Sequence, residues 1–163
     1  MNQDGVVKLK MEFIQNQFNE EFKSTGDFYY FNKNYYVFDN LSYRILYDNN
    51  YITTINKIDK QVIYEKSALN NFTVFDFING GIDSLIFFDF NTFNDTVKMS
   101  FKIDEWSIIG SLTTDLLTGK PKIMEFNLKN LRTIIKVLDI WELEYSNLLT
   151  IDTSLFSIID FRE

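Results

Sequence analysis

The stretch Gly26 to Tyr64, GDFYYFNKNYYVFDNLSYRILYDNNYITTINKIDKQVIY, restricts the fold more than any other part of the chain. Its short aromatic and β-branched runs are separated by turn clusters at Asn32-Lys33-Asn34, Asp39-Asn40, Asp48-Asn49-Asn50 and Asn56 to Asp59. Asn and Asp tolerate positive φ and bond their own backbone, so such clusters end strands. Turn signals at intervals of about 8–12 residues predict an antiparallel meander of the sandwich or barrel kind. Gly26 reads as punctuation before it. Alternation puts Phe28 and Tyr30 on one face, with Asp27 and Tyr29 opposite, and it groups Tyr43, Ile45 and Tyr47 against Arg44.

The flanking chain extends the pattern. Val7, Leu9, Met11 and Phe13 alternate with Lys8, Lys10 and Glu12, which predicts a half-buried strand. Phe18 to Lys23 reads as a loop or a strand start. From Ser67 the period changes. Phe72, Phe75 and Ile78 follow helical spacing up to the stop Asn79-Gly80-Gly81, and Ile82, Leu85, Ile86, Phe88 and Phe90 suggest a second short helix. Strands resume at Val97, where Met99, Phe101 and Ile103 alternate with polar residues, and continue through Trp106 to Leu117 and Ile123 to Leu128. Leu117 to Pro121 is a hairpin turn in which Gly119 supplies the positive φ. Leu131 to Glu142 fits a helix by spacing and a strand by its β-branched content. A last short strand falls around Leu155 to Ile158. No repeat or linker interrupts the chain, and its 163 residues suit a single domain, 1–163.

Composition excludes several classes of function. There is no Cys and no His, so a disulfide framework, a thiol nucleophile, the usual general base and the commonest metal ligand are all lacking. Paired carboxylates such as Asp152 with Asp160, or Glu142 with Glu144, read as solvated faces. Asp83-Ser84 lacks a partner His and nucleophile-elbow glycines, and Gly80-Gly81 reads as a helix stop. No Asp spacing matches a calcium loop. The expectation is a non-enzyme with no cofactor and no metal. A net charge of −7 without a basic run argues against nucleic acid. No apolar run approaches the roughly 18 residues of a spanning helix, so the protein is not expected to be integral to a membrane. The aromatic fraction is high at 17%, with 17 Phe and 9 Tyr. AT-rich codon usage accounts for it, or an interior that holds more than its own side chains.

Several short patterns, in this order, resemble the LolA-type family of periplasmic carriers of outer-membrane lipoproteins. They are Phe13-Ile14-Gln15, Gly26-Asp27-Phe28-Tyr29, Tyr43 to Tyr47, the turn Asp48-Asn49-Asn50, the connection Asn56 to Gln61, the apolar pair of helices Phe72 to Phe90, Thr114 to Ile123, and Ile151 to Ile158. Each is weak alone; their order and spacing cover most of the chain. The resemblance implies a mainly β (α+β) fold: a strongly curved antiparallel sheet forming an incomplete β-barrel, with short helices packed in the open side as a lid. It also implies that Leu131 to Glu142 is a strand. Two departures stand out. Only MNQDGV precedes Val7 where the family begins with an amphipathic helix, and Phe31-Asn32-Lys33-Asn34 stands where an Arg-Pro pair helps hold the lid.

The function implied is a non-enzymatic carrier. It would bind lipoprotein acyl chains, or another lipid, in a hydrophobic cavity and shuttle them through the periplasm to the outer membrane. Membrane transport proteins would serve as donor and acceptor. If Met1 is the native start, the expected compartment is instead the cytoplasm. The lipid-binding residues implied are Met11, Phe13, Phe28, Tyr30, Tyr43, Ile45, Phe75, Ile78, Leu85, Phe88, Met99 and Phe101, although each of them singly is also an ordinary core residue. Met11, Met99 and Met124 suit an adaptable lining. The alternative is a protein-binding or regulatory module of the same fold with a filled core, as a homodimer in one form.

Overall fold

The computed structural model describes residues 5–18, 20–32, 34–48, 50–66, 85–128, 131–144 and 151–162. They form twelve strands: β1 (Gly5–Gln17), β2 (Glu20–Asn32), β3 (Tyr35–Asn40), β4 (Tyr43–Asp48), β5 (Tyr51–Asn56), β6 (Gln61–Lys66), β7 (Leu85–Phe93), β8 (Thr96–Ile103), β9 (Ile108–Asp115), β10 (Pro121–Leu128), β11 (Leu131–Glu144) and β12 (Ser157–Phe161). The fold is mainly β, one open sheet ordered β12-β6-β5-β4-β3-β2-β1-β11-β10-β9-β8-β7. Among the described residues the helical content is one 3-10 turn, Asp104–Trp106. No helix among them is long and apolar enough to cross a membrane.

Two compact units share the strands. Unit 1 takes the described residues of 1–10, 26–81 and 140–163, and unit 2 those of 11–25 and 82–139. In unit 1, β2 to β6 are the expected antiparallel meander, with pairs such as Phe28↔Phe38, Phe38↔Ile45, Ile45↔Thr54 and Thr54↔Ile63. β12 joins it in parallel, with Ile159 beside Ile63. Lys57, Arg44 and Asp39 tie two of its turns together: Arg44 Nη2 donates to Asp39 Oδ2 at 2.6 Å and Lys57 Nζ to Asp39 Oδ1 at 2.5 Å. Burial pushes the Asp39 carboxyl up, but the bonds and charges of Arg44 and Lys57 outweigh it and hold the group below its ordinary value.

Unit 2 is built on consecutive hairpins, β7-β8, β8-β9, β9-β10 and β10-β11. Gly119 turns β9 into β10 at φ 70°, as the hairpin expectation required. Asp115 Oδ1 accepts from the backbone N–H of Leu117 and Thr118 and from the Thr118 hydroxyl, and its carboxylate pairs with Lys122 at 2.9 Å. The ion pair first, and then the Thr118 bonds, hold that carboxyl far below the usual range.

Three expectations are corrected. The second helix, read from Ile82 to Phe90, is strand β7 from Leu85 onward. Leu85 to Phe90 is apolar at nearly every position, and periodicity cannot separate helix from strand in such a run. A bulge at Asp89 (φ 55°) also shifts the period, since Phe88 pairs with Ser100 and Phe90 with Met99. Gly26 does not precede a strand but lies within β2, opposite Asn40. Trp106 belongs to the 3-10 turn, and β9 starts at Ile108. The first expected helix, Phe72 to Ile78, lies outside the described residues. Leu131–Glu144 is a strand.

Candidate functional site

Residues directly opposite in an antiparallel pair share a face of the sheet. In unit 2, this rule puts Leu85, Phe87 and Phe90 of β7 with Ile103, Phe101 and Met99 of β8. The same face continues through Ile108, Gly110 and Leu112 of β9, Met124 and Phe126 of β10, and Ile135 and Thr133 of β11. The opposite, more polar face carries Ser100, Lys102, Ser111, Glu125, Arg132 and Lys136 among the apolar Ile86, Phe88, Ile109, Ile123 and Ile134. Glu12 reaches Lys136 on that polar face at 2.7 Å, so alternation along β1 turns Met11 and Phe13 to the apolar one.

This apolar face is graded. Its centre is closed: Met11, Phe101, Ile103 and Ile108 are fully buried and Phe126 is nearly so. Its β7 margin is open, with Phe87 38% and Phe90 62% exposed. The Phe87 ring meets Phe101 edge-on at 6.2 Å between centroids. Thr133 is the polar exception at the centre. It is 1% exposed, stands opposite Phe126, and among the described residues its hydroxyl has no hydrogen-bond partner. A buried hydroxyl left in that state costs roughly 1–3 kcal/mol.

Gly110 explains how the aromatic layer closes over β9. A Cβ at this position would stand 2.4 Å from Phe101 Cζ, 2.4 Å from the Glu125 carbonyl oxygen and 2.8 Å from Phe126 Cβ. The glycine leaves the space that the Phe101 ring occupies.

Unit 1 has its own aromatic face. Phe28, Phe38 and Ile45 form one row across it, and Tyr30, Tyr36, Tyr47 and Ile52 the next. Phe28 and Tyr36 are buried, with ring centroids 5.4 Å apart, and Tyr36 stacks on Tyr47 at 4.8 Å and 8°. Tyr43 lies on the same face at its exposed end. The other face of this unit carries Val6, Tyr29 and Val37, packed by Phe31, Tyr35, Leu46 and Leu143. There Lys8 bonds Asp27 at 2.9 Å and lies over the rings of Tyr29 and Trp141 at 5.3 and 5.1 Å. The Asp27 hydrogen bond raises the Lys8 pKa.

The expected lining residues therefore fall into three groups. Met11, Phe13, Leu85, Met99 and Phe101 come together on the apolar face of unit 2. Phe28, Tyr30, Tyr43 and Ile45 come together on the aromatic face of unit 1. Phe88 joins neither: the Asp89 bulge leaves it on the polar face beside Ser100, 42% exposed. Phe75 and Ile78 lie outside the described residues. Sequence reading missed Tyr36, Phe87, Phe126, Ile135 and Thr133. Register reveals all five, and alternation from Met124 along its own strand was the signal that could have found Phe126. Among the described residues no group of three or more Asp or Glu side chains is placed to hold a metal ion.

No family profile and no curated protein matches the sequence. Solved structures do match in fold. An uncharacterized conserved protein from Thermus thermophilus superposes with a TM-score of 0.62 at 7% identity, over 96% of this chain and 91% of that one. A putative outer membrane lipoprotein-sorting protein domain from Vibrio parahaemolyticus matches at 0.48 and 9% identity, over 93% and 90% of the two chains. A LolA superfamily protein from Nitrosomonas europaea matches at 0.44 and 9%, over 96% and 91%. The Thermus likeness is one of fold alone.

Proposed function

We propose that the protein is a non-enzymatic carrier that holds acyl chains, of a lipoprotein or another lipid, against the apolar face of unit 2. The protein would work in the periplasm, taking cargo from one membrane protein and giving it to another at the outer membrane. The observation that supports it most is the make-up of that face. Met11, Phe13, Met99, Phe101, Met124 and Phe126 line it, and Phe87 and Phe90 leave its margin open. Each buried methylene contributes about 0.8 kcal/mol, so one or two acyl chains need no charged anchor. Methionine side chains adapt to chains of different shape.

Native mass spectrometry of protein purified from bacterial membrane extracts tests this. The carrier reading predicts a retained lipid or lipopeptide, and loss of it in Phe87→Asp/Phe90→Asp. A chain that emerges bare from every extract contradicts it.

A second reading has its own observation. Phe101, Ile103 and Ile108 are fully buried by the protein's own atoms, as in a filled core. The same fold would then be a protein-binding module, for instance a homodimer formed through the exposed edge strand β7. A light-scattering mass of twice the monomer, with no retained lipid, favours it over the carrier.

A further inference from the structure

Unit 1 treats the two ends of its strands differently. The turns after β2 and β4 are polar, with Asn32, Asn34, Asp48 and Asn50. The turns at the other ends each hold an aliphatic side chain out of the fold. Leu41, between β3 and β4, is 95% exposed; Ile58, between β5 and β6, is 69% exposed; Leu155, just before β12, is 82% exposed.

These three tips are one constructed rim. Asn40 Oδ1 accepts from the N–H of Ser42 and Tyr43 around Leu41. Asn56 Oδ1 accepts from the N–H of Ile58 and Asp59. Asp152 Oδ1 accepts from the N–H of Ser154, the residue before Leu155. Side-chain caps of this kind fix the backbone locally. The turns are also tied to each other. Lys57 N–H donates to Ser42 O at 2.9 Å, Lys57 Nζ donates to the Asn40 carbonyl, and Ser157 N–H donates to Lys60 O at 2.9 Å. Strands about 4.8 Å apart set the Leu41 and Ile58 turns roughly 10 Å from one another. The charged residues of these turns, Arg44, Lys57 and Lys60 against Asp39, Asp59 and Asp152, leave the rim without net charge in a chain of net charge −7.

We propose that this rim docks the protein on the surface of a lipid bilayer, with Leu41, Ile58 and Leu155 entering the boundary between headgroups and acyl chains. The proposal stands on the rim alone and does not depend on the carrier reading. A bilayer is the occupant that fits. Three separated aliphatic points need three shaped pockets on a protein, whereas a membrane interface accepts them at any spacing. A rim of zero net charge suits a zwitterionic surface, and the acidic remainder of the chain disfavours an anionic one.

The chain has no cysteine, so Leu41→Cys, Ile58→Cys and Leu155→Cys each accept one environment-sensitive fluorophore. With phosphatidylcholine vesicles, all three labels shift to the blue and a label at Asn34→Cys does not. Flotation of the full chain on the same vesicles falls at least about tenfold in the triple variant Leu41→Ser/Ile58→Ser/Leu155→Ser. It changes little between about 0.1 M and about 1 M salt, because little of the attraction is electrostatic. Labels that stay dark to vesicles, an equal shift at Asn34→Cys, flotation of the triple variant like the parent, or binding abolished by salt would overturn the proposal. A rim that ignores vesicles but captures a protein would do so as well. Far-UV circular dichroism of each variant confirms that the sheet is intact.

Discussion

Gly110→Ala perturbs the point on which the apolar layer of unit 2 closes. The added methyl would lie 2.4 Å from both Phe101 Cζ and the Glu125 carbonyl oxygen. Ordinary contact begins about 1 Å further out, so the ring must swing away or β9 and β10 must separate around the Gly110↔Phe126 pair. The ring alone could move, but the carbonyl belongs to the ladder. Overpacking of this kind costs about 1–3 kcal/mol, and the backbone contact puts it at the upper end. Replacing a strand glycine returns roughly 0.5–1 kcal/mol. The net loss is then about 2 kcal/mol, and for a chain of this size Tm falls by about 4–8 °C. Thermal unfolding followed by circular dichroism measures it, with Ser111→Ala on the opposite face as the control. The reasoning also predicts coupling. In the Gly110→Ala background, Phe101→Leu costs less than it does in the parent by at least about 0.5 kcal/mol. An unchanged or raised Tm in Gly110→Ala, or strict additivity with Phe101→Leu, would refute the packing described at this site.

Other perturbations probe the rest of the molecule. Asp39→Ala removes the carboxylate shared by the buried Arg44 guanidinium and Lys57, and denaturant titration is expected to show a loss of roughly 3 kcal/mol. Because the folded pKa of Asp39 lies below its unfolded value of about 3.9, its contribution is complete above that pH and is lost as pH falls through the folded pKa. Below about pH 4 the parent and Asp39→Ala should converge in stability; a gap that stays constant down to about pH 2 would contradict the ion cluster. Thr133→Val removes a buried hydroxyl that has no partner among the described residues, so the lipid-free protein should gain about 1 kcal/mol. Pro substitution at Phe90, on the edge strand, should leave the fold intact but abolish any dimer formed by strand pairing, as sedimentation equilibrium would show.

Local chemistry made the meander legible. The Asn and Asp turns mark strand ends without help from the rest of the fold, and the alternation of Phe28 and Tyr30 or of Tyr43, Ile45 and Tyr47 survives in the register. Leu131 to Glu142 is ambiguous by composition because a strand with apolar residues at most positions matches both periods; the place of Leu131–Glu144 between β1 and β10 settles it. Leu85 to Phe90 failed for the same reason, aggravated by one bulge residue, Asp89, that throws Phe88 and Phe90 to opposite faces. Half of the candidate site was visible in this way. Thr133 and Gly110 were not, since their roles arise only when strands distant in sequence are laid side by side. The parallel attachment of β12 to β6 was likewise invisible, because a closing strand carries no mark of its direction.

The claim that unit 2 presents an acyl-binding face is tested most directly at its methionines. The chain has 4 Met, and three of them, Met11, Met99 and Met124, belong to this face, while Met1 is outside the described residues. With the methionine methyl groups labelled by carbon-13, the spectrum contains four signals that single Met→Leu variants assign. Adding a spin-labelled long-chain fatty acid should broaden Met99 and Met124 first and Met11 with them, and unlabelled fatty acid should reverse the effect. If those three signals stay sharp at saturating ligand, the face is a sealed core and the carrier account is wrong.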